Sequence, residues 1–359
     1  YTGLSCAINL IENHNLDVIL VEAGKIGWGA SSRNAGFNCL PPSKMSFKKM
    51  QSIFGREETK KFFKNSIEGS NHTKDIIKEY NIDCDVTGDS NFVVAHHKNK
   101  FDQIKEQAEV YKSEFDIETE IYSKEQFNEI GHGGTEQYGA FSYKPGFAIN
   151  PLKFVNGIAK YALSKKLKIF EHTKVDKIDK ENGFYILKTK EGTIRSKKIV
   201  VATNGFYQEG LIPQMDGRVL PVISNVIVTR KLNEDELNAH NFKTFSPVVN
   251  TKNLLCYYRK LPDNRILFGT RGDLTGSDQS NLAMSKKMEK FLKDIFPKWS
   301  NVTIDYNWRG LIALSQKLTP SIGKIDNEEI YYGFGYNGVG VSAAPWTGKQ
   351  LSKLVFSSN

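Results

Sequence analysis

Four apolar residues near the start of the chain, Ala7, Ile8, Leu10 and Ile11, share one side of a helix, the spacing expected where a helix packs on a sheet. The run DVILVE that follows reads as a buried strand ending in an acid, Glu22. From Lys166 to Gly205, KLKIFEHTKVDKIDKENGFYILKTKEGTIRSKKIVVATNG predicts a strand, an antiparallel meander and a second strand. That second strand closes on the small turn Ala202-Thr203-Asn204-Gly205. Between residues 219 and 310, strand-like runs alternate with polar turns: VLPVISNVIVTRKL, LLCYYRKL and RILFGTRGDL. An amphipathic helix is predicted over MEKFLKDIFPKW, residues 288–299. Near the end, the glycine-rich YGFGYNGVGV (Tyr332 to Val341) feeds a helix over APWTGKQLSKLV. The pattern predicts an α/β fold with a second, α+β domain built on an antiparallel sheet.

The first twenty-four residues have the form of a βαβ unit that lacks its opening strand. Gly3 stands 19 residues before Glu22. In a dinucleotide-binding unit, G-x-G-x-x-G turns the chain from strand to helix and sets the pyrophosphate on the helix N-terminus. An acid about 20 residues later then accepts hydrogen bonds from the ribose. Tyr1-Thr2-Gly3 matches the last three positions of that motif, so a strand and two glycines are expected upstream of Tyr1, and the last helix is expected to be cut short. After Glu22, the loop AGKIGWGASSRNAGFN gathers Ser31, Ser32, Arg33 and Asn34 among small residues. Hydroxyl, amide and N–H groups with so little bulk suit a chain lying against a phosphate or a flat ring. A plain Gly/Ser loop has the same composition.

With 359 residues the chain has room for two domains. Its 39% hydrophobic and 25% charged residues are those of an ordinary globular protein. No apolar run approaches the roughly 18–20 residues of a membrane span, and no secretion signal is visible, so a cytoplasmic location is expected. Cys6, Cys39, Cys84 and Cys256 form no C-x-x-C pair and have no histidine at metal-ligand spacing; reduced thiols and no metal are expected. The net charge of +9 raises the question of nucleic acid. Its lysines are spread along the chain, often beside acids, and read as solvated faces.

The run from Glu22 to Gly36, E-A-x-x-x-G-x-G-A-S-S-R-N-x-G, resembles the FAD-binding segment of the D-amino-acid-oxidase-like (DAO) flavoproteins. The ATNG turn, the FGTRG turn, WRGLIALSQKLTPSIG (Trp308 to Gly323) and the final glycine-rich turn match the same family in order, with the γ-glutamylputrescine oxidase and glycine oxidase branch nearest. The resemblance implies a Rossmann-like FAD-binding domain of the two-dinucleotide-binding-domain type, over 1–90, 145–215 and 318–359, and a substrate domain over 91–144 and 216–317. Implied FAD contacts are Gly3, Glu22, Ala23, Ser31, Ser32, Arg33, Asn34, Ala35, Gly36, Val175, Ala202, Thr203, Gly205, Gly335, Asn337, Gly338, Val339 and Gly340. The implied reaction is hydride transfer from the amine-bearing carbon of a small molecule to flavin N5, followed by imine hydrolysis. Dioxygen or another acceptor would complete the cycle. That chemistry requires no side-chain acid or base, and none is named.

Three departures from the family's pattern narrow the expectation. Where glycine and D-amino-acid oxidases carry a carboxylate-binding Arg after W-x-G, this chain has Ile312. An amine or γ-glutamyl-amine therefore fits better than an α-amino acid, with Arg271 and Arg309 as remaining anion partners. No Cys follows Cys256, so non-covalent FAD is expected where sarcosine oxidases use a Cys. Leu267 occupies the position of their oxygen-activating Lys, which leaves oxidase or dehydrogenase open. Tyr257, Tyr258, Phe268 and Tyr336 are candidates for an aromatic substrate pocket, or equally for core. Alternatives are a D-amino acid, glycine or sarcosine-type oxidase, the flavin domain of a tRNA-modifying enzyme, and an NAD(P)-binding Rossmann protein. The last has no use for the SSRN loop or the C-terminal glycine turn.

Overall fold

The computed structural model describes residues 1–40, 45–273 and 275–357. The first helix, Thr2–His14, buries Ala7, Ile8 and Leu10 and leads into the strand Ile19–Val21. That strand pairs in parallel with Lys168–Phe170. A separate three-stranded sheet holds Ile199–Val201, Ile330–Phe334 and Ser321–Lys324. Its Ile199 and Ile330 strands are parallel. Between Lys168–Phe170 and Ile199–Val201 lies the antiparallel meander Val175–Glu181, Phe184–Thr189 and Thr193–Ser196. Asn182 and Gly183 make its first turn, both with positive φ (49° and 78°), the two-residue hairpin that Asn-Gly favours.

The other half is built on one eight-stranded sheet. Its order is Ile304–Leu314, Leu220–Thr229, Ile266–Arg271, Tyr257–Lys260, Val248–Asn250, Asn91–Val94, Ala140–Tyr143 and Thr119–Tyr122. Only the Val248 and Asn91 strands pair in parallel. One face carries a core of Ile227, Tyr258, Phe268 and Val248 under Met284, Met288 and Leu292 of the helix Asp278–Ile295. That helix starts ten residues before the predicted Met288, because the Ser277 hydroxyl accepts from the Ser280 N–H and caps it there. It ends before Pro297, which opens a separate short turn through Trp299.

The last helix, Gly340–Ser357, packs against the first helix and against Arg56–Glu79. Glycine makes both approaches possible. A Cβ on Gly348 would stand 2.5 Å from the Thr2 carbonyl oxygen, and one on Gly69 would stand 2.8 Å from that of Ser342.

Candidate active site

A cavity of about 1640 Å³ runs along the seam between the parallel strands and the eight-stranded sheet. Ordinary small-molecule sites occupy roughly 300–1,000 Å³, so this one has room for a dinucleotide-sized ligand. Its walls include the strands Ile19–Val21 and Ile199–Val201, each with one hydrogen-bonded neighbour among the described residues. Two helices begin on it, the first through Thr2 and Gly3 and the last through Gly340 and Val341. Their first N–H groups have no partner within the helix and carry the positive end of its dipole. A Cβ on Gly3 would meet Ala202 and Leu20 at 3.6 Å, ordinary contact.

Glu22 and Ala23 line the cavity where the strand Ile19–Val21 ends. The Glu22 carboxylate accepts from the Gly24 N–H at 2.8 Å and so is aimed by its own loop. Further on, Ser31, Arg33, Asn34 and Ala35 line it, with the Arg33 guanidinium 4.7 Å above the centre of the Trp28 ring. The Asn34 amide is used within the loop: Nδ2 donates to the Ala30 oxygen at 2.9 Å, and Oδ1 accepts from the Gly36 N–H at 2.7 Å. The Ser32 hydroxyl turns away and donates to the Gly27 carbonyl. Gly36 does not line the cavity either. It has φ +78°, and a Cβ there would stand 1.9 Å from the Ile149 oxygen, so only glycine fits.

From the other side come Val175 and the turn Ala202-Thr203-Asn204. Asn204 ties this turn to the glycine-rich one, accepting at Oδ1 from the Gly335 N–H at 2.9 Å. Gly205 and Gly335 shape these turns without lining the cavity. Asn337, Gly338, Val339 and Gly340 do line it. Asn337 is locked in place, its N–H donating to the Ala313 oxygen at 3.0 Å and its Oδ1 accepting from the Ser315 N–H at 3.2 Å.

The far end of the cavity is the second face of the eight-stranded sheet. Ser224, Tyr257, Arg271, Gly310 and Ile312 line it, with Phe37, Cys39, Val249, Leu255 and Tyr336 around them. Register explains the grouping: Tyr257 pairs with Gly269, and Ser224 with both Arg271 and Gly310. A Cβ on Gly269 would strike the Tyr257 ring at 2.3 Å, so the glycine lets that ring lie across the strand. The Tyr257 and Ser224 hydroxyls are 2.9 Å apart. Burial raises the Tyr257 phenol above its ordinary pKa and lowers that of the Arg271 guanidinium. Tyr336 is buried, and its hydroxyl bonds that of Thr2.

A long cavity with an aimed carboxylate, a cation over an aromatic ring, two open helix N-termini and a glycine turn fits FAD. A family model for FAD-dependent oxidoreductases (DAO) matches residues 1–354. The chain belongs to this family. It is 29% identical over 356 residues to a gamma-glutamylputrescine oxidoreductase of Escherichia coli (strain K12), spanning 99% of this chain and 81% of that protein. It is 25% identical over 251 residues to a glycine oxidase of Bacillus subtilis (strain 168), covering 66% of this chain and 62% of that protein. Among solved structures, glycine oxidase from Geobacillus kaustophilus has the same fold, with a TM-score of 0.80 at 17% identity over 99% of this chain and 92% of that one. L-proline dehydrogenase from P. horikoshii matches with a TM-score of 0.76 at 21% identity over 100% and 91%.

Within this FAD-dependent oxidoreductase, three substrate-pocket expectations need correction. Tyr258 and Phe268 point to the opposite face of the sheet from Tyr257, stack on each other in the core, and are 1% and 0% exposed. The Tyr258 hydroxyl pairs there with His132 Nε2 at 2.8 Å. Arg309 precedes the cavity-lining Gly310 but points under the helix Asp278–Ile295. It donates to the Ser277 oxygen at 2.8 Å and to Asp278 at 3.1 Å. Ser224, Phe37, Cys39 and Trp28 were not anticipated; for Ser224, pairing opposite Arg271 was the available signal. No three His, Cys, Asp or Glu cluster as a metal site among the described residues. No described helix is long and apolar enough to cross a membrane.

Proposed function

We propose that this FAD-dependent oxidoreductase oxidises a C–N bond of an amine, with FAD held non-covalently, giving an imine that water converts to an aldehyde or ketone. When bound, FAD supplies the two-electron acceptor for that oxidation, with dioxygen or another oxidant as the final acceptor. The observation that carries the reading is the composition of the cavity's far end. Tyr257, Ile312, Phe37, Leu255 and Val249 make it largely apolar, which favours the neutral amine needed for hydride loss over the ammonium. Ile312 stands on that wall and offers no charge to a carboxylate at its own position, which supports an amine of the γ-glutamylputrescine kind over glycine or a D-amino acid. Glu22, Arg33 and the two helix N-termini are the residues proposed to hold the adenosine and pyrophosphate, and the Asn337–Gly340 turn the flavin edge. The proposed division at 91–144 and 216–317 is supported by the eight-stranded sheet, every strand of which falls within those ranges.

The test is anaerobic reduction of the FAD-loaded protein by an amine panel. Bleaching of the flavin absorption by γ-glutamylputrescine and not by glycine or D-alanine is expected. Bleaching by glycine or D-alanine refutes the substrate reading, and protein that takes up no FAD refutes the whole.

A further inference from the structure

Trp28 and Phe206 line the cavity from its two sides, yet they are 51% and 41% exposed. Trp28 belongs to the loop that carries Ser31 and Arg33, and Phe206 follows the turn that carries Ala202 and Thr203. The two rings meet edge to face, with 5.5 Å between centres and 62° between planes. Their contact joins the two sides at the rim of the cavity. The loop leaves room for both rings: a Cβ on Gly24 would lie 3.3 Å from Trp28, and one on Gly29 would lie 3.0 Å from Phe206. The backbones beneath are held in place. The Ile26 N–H donates to the Glu171 carboxylate at 2.6 Å, and Asn204 Oδ1 accepts from the Gly335 N–H at 2.9 Å. The Arg33 guanidinium that packs on Trp28 is the same one proposed to meet the pyrophosphate. An edge-to-face pair is a weak contact, favoured by roughly 2- to 10-fold over the parted rings, so the rings part often without unfolding either turn.

We propose that Trp28 and Phe206 form a clasp across the cavity that FAD passes when it enters and leaves, so that the pair sets the rate of cofactor exchange. The proposal rests on the reading of the cavity as an FAD site and deepens it. An aromatic wall adds to affinity; a clasp does not. It closes on the filled and the empty cavity alike, so both rate constants are scaled by the open fraction. The dissociation constant, their ratio, is unchanged. FAD is the occupant the clasp fits, because the two segments it joins carry residues proposed for the adenosine and pyrophosphate. The amine is placed beyond them, against Tyr257 and Ile312 at the far end.

The full chain is stripped of flavin and mixed rapidly with FAD, and association and release are each followed by flavin fluorescence. Trp28→Ala and Phe206→Ala should each raise both rate constants by about 2- to 10-fold and leave Kd unchanged. The double variant should match the single ones, since loss of either ring opens the clasp. Trp28→Phe, which keeps a ring, should fall between wild type and Trp28→Ala. Tyr306→Ala removes a side chain that is 56% exposed and does not line the cavity, and it should change neither rate. Trp28 and Phe206 are themselves about half in water, so their removal takes little from the core and the variants fold. Faster release with unchanged association overturns the proposal and makes the rings an ordinary wall. Unchanged FAD rates overturn it too, and altered amine capture in the same variants, read from the concentration dependence of anaerobic flavin reduction, would put the contact on the substrate's path. Wild-type protein that takes up no FAD refutes the parent reading and this one with it, whereas FAD uptake at unchanged rates refutes the clasp alone.

Discussion

Tyr257 and Tyr258 are neighbours of identical chemistry, yet only Tyr257 reaches the cavity. Alternation along the strand turns Tyr258 to the core side, where its hydroxyl meets His132, which is fully buried. His132 Nδ1 accepts from the Gly134 N–H at 3.1 Å, so the proton sits on Nε2, which donates to the Tyr258 oxygen. Burial lowers its pKa from 6.5 to about 3. Between those values the unfolded chain binds a proton that the folded one excludes. Stability is therefore lost as pH falls from 6.5 toward 3, by about 1.4 kcal/mol per pH unit, and is independent of this group above 6.5. His132→Gln should flatten that slope. Urea midpoints of wild type and variant at pH 6.5, 5.5 and 4.5 measure it, and parallel profiles would show that His132 is not the group titrating. His72, His96 and His240 are also held low by burial, so the difference between the two profiles is what reports on His132.

At the scale of elements, what was legible depended on whether a segment has one solvated face. The first helix, the strand ending in Glu22, the meander and the two glycine turns carry their own punctuation, and their places follow from 3.6- and 2-residue periods. Ile266–Arg271 does not: five of its six residues are buried, so no polar alternation reveals which side meets the cavity. For Phe268, and for Tyr258 on the strand Tyr257–Lys260, pocket and core were therefore equally open, and both belong to the core. Arg309 could not be excluded by parity either, because Leu311 and Ala313, which share its side of the strand, line the cavity as Gly310 and Ile312 do; its contacts with Ser277 and Asp278 are what hold it away. The close packing of the first and last helices was not legible either, because it rests on one glycine whose partner lies far away in sequence. This yields a prediction in which two rules oppose each other. Gly→Ala inside a helix ordinarily stabilises by about 0.5–1 kcal/mol. At Gly348 the added Cβ would meet backbone of the first helix at 2.5 and 2.8 Å, an overpacking worth about 1–3 kcal/mol in the other direction. Gly348→Ala should therefore lower the denaturation midpoint and, since both helices begin on the cavity, the flavin content of the purified protein. A raised midpoint would mean the helices are not in backbone contact.

For the whole molecule the cavity is the common element, drawing its walls from Tyr1 to Val355 and from both the parallel and the antiparallel sheets. A ligand that fills it contacts segments that otherwise share few hydrogen bonds, so binding should report on global stability. Free FAD at 100 times its dissociation constant stabilises the folded state by about 2.7 kcal/mol, and each further tenfold adds about 1.4 kcal/mol. Charge has little part in this. Surface lysines such as Lys48, Lys144 and Lys290 face Glu106, Glu118 and Asp294, and exposed pairs of this kind contribute about 0–1 kcal/mol each. The melting temperature should accordingly rise with the logarithm of FAD concentration, and the rise should survive moderate salt. ADP, which on the proposed placement meets only the Glu22, Arg33 and Val175 end, should give a smaller rise at the same multiple of FAD's dissociation constant. The difference between the two measures what the Asn337–Gly340 turn and the Tyr257 wall contribute. Equal shifts from FAD and ADP would mean that the flavin half of the cavity is not engaged.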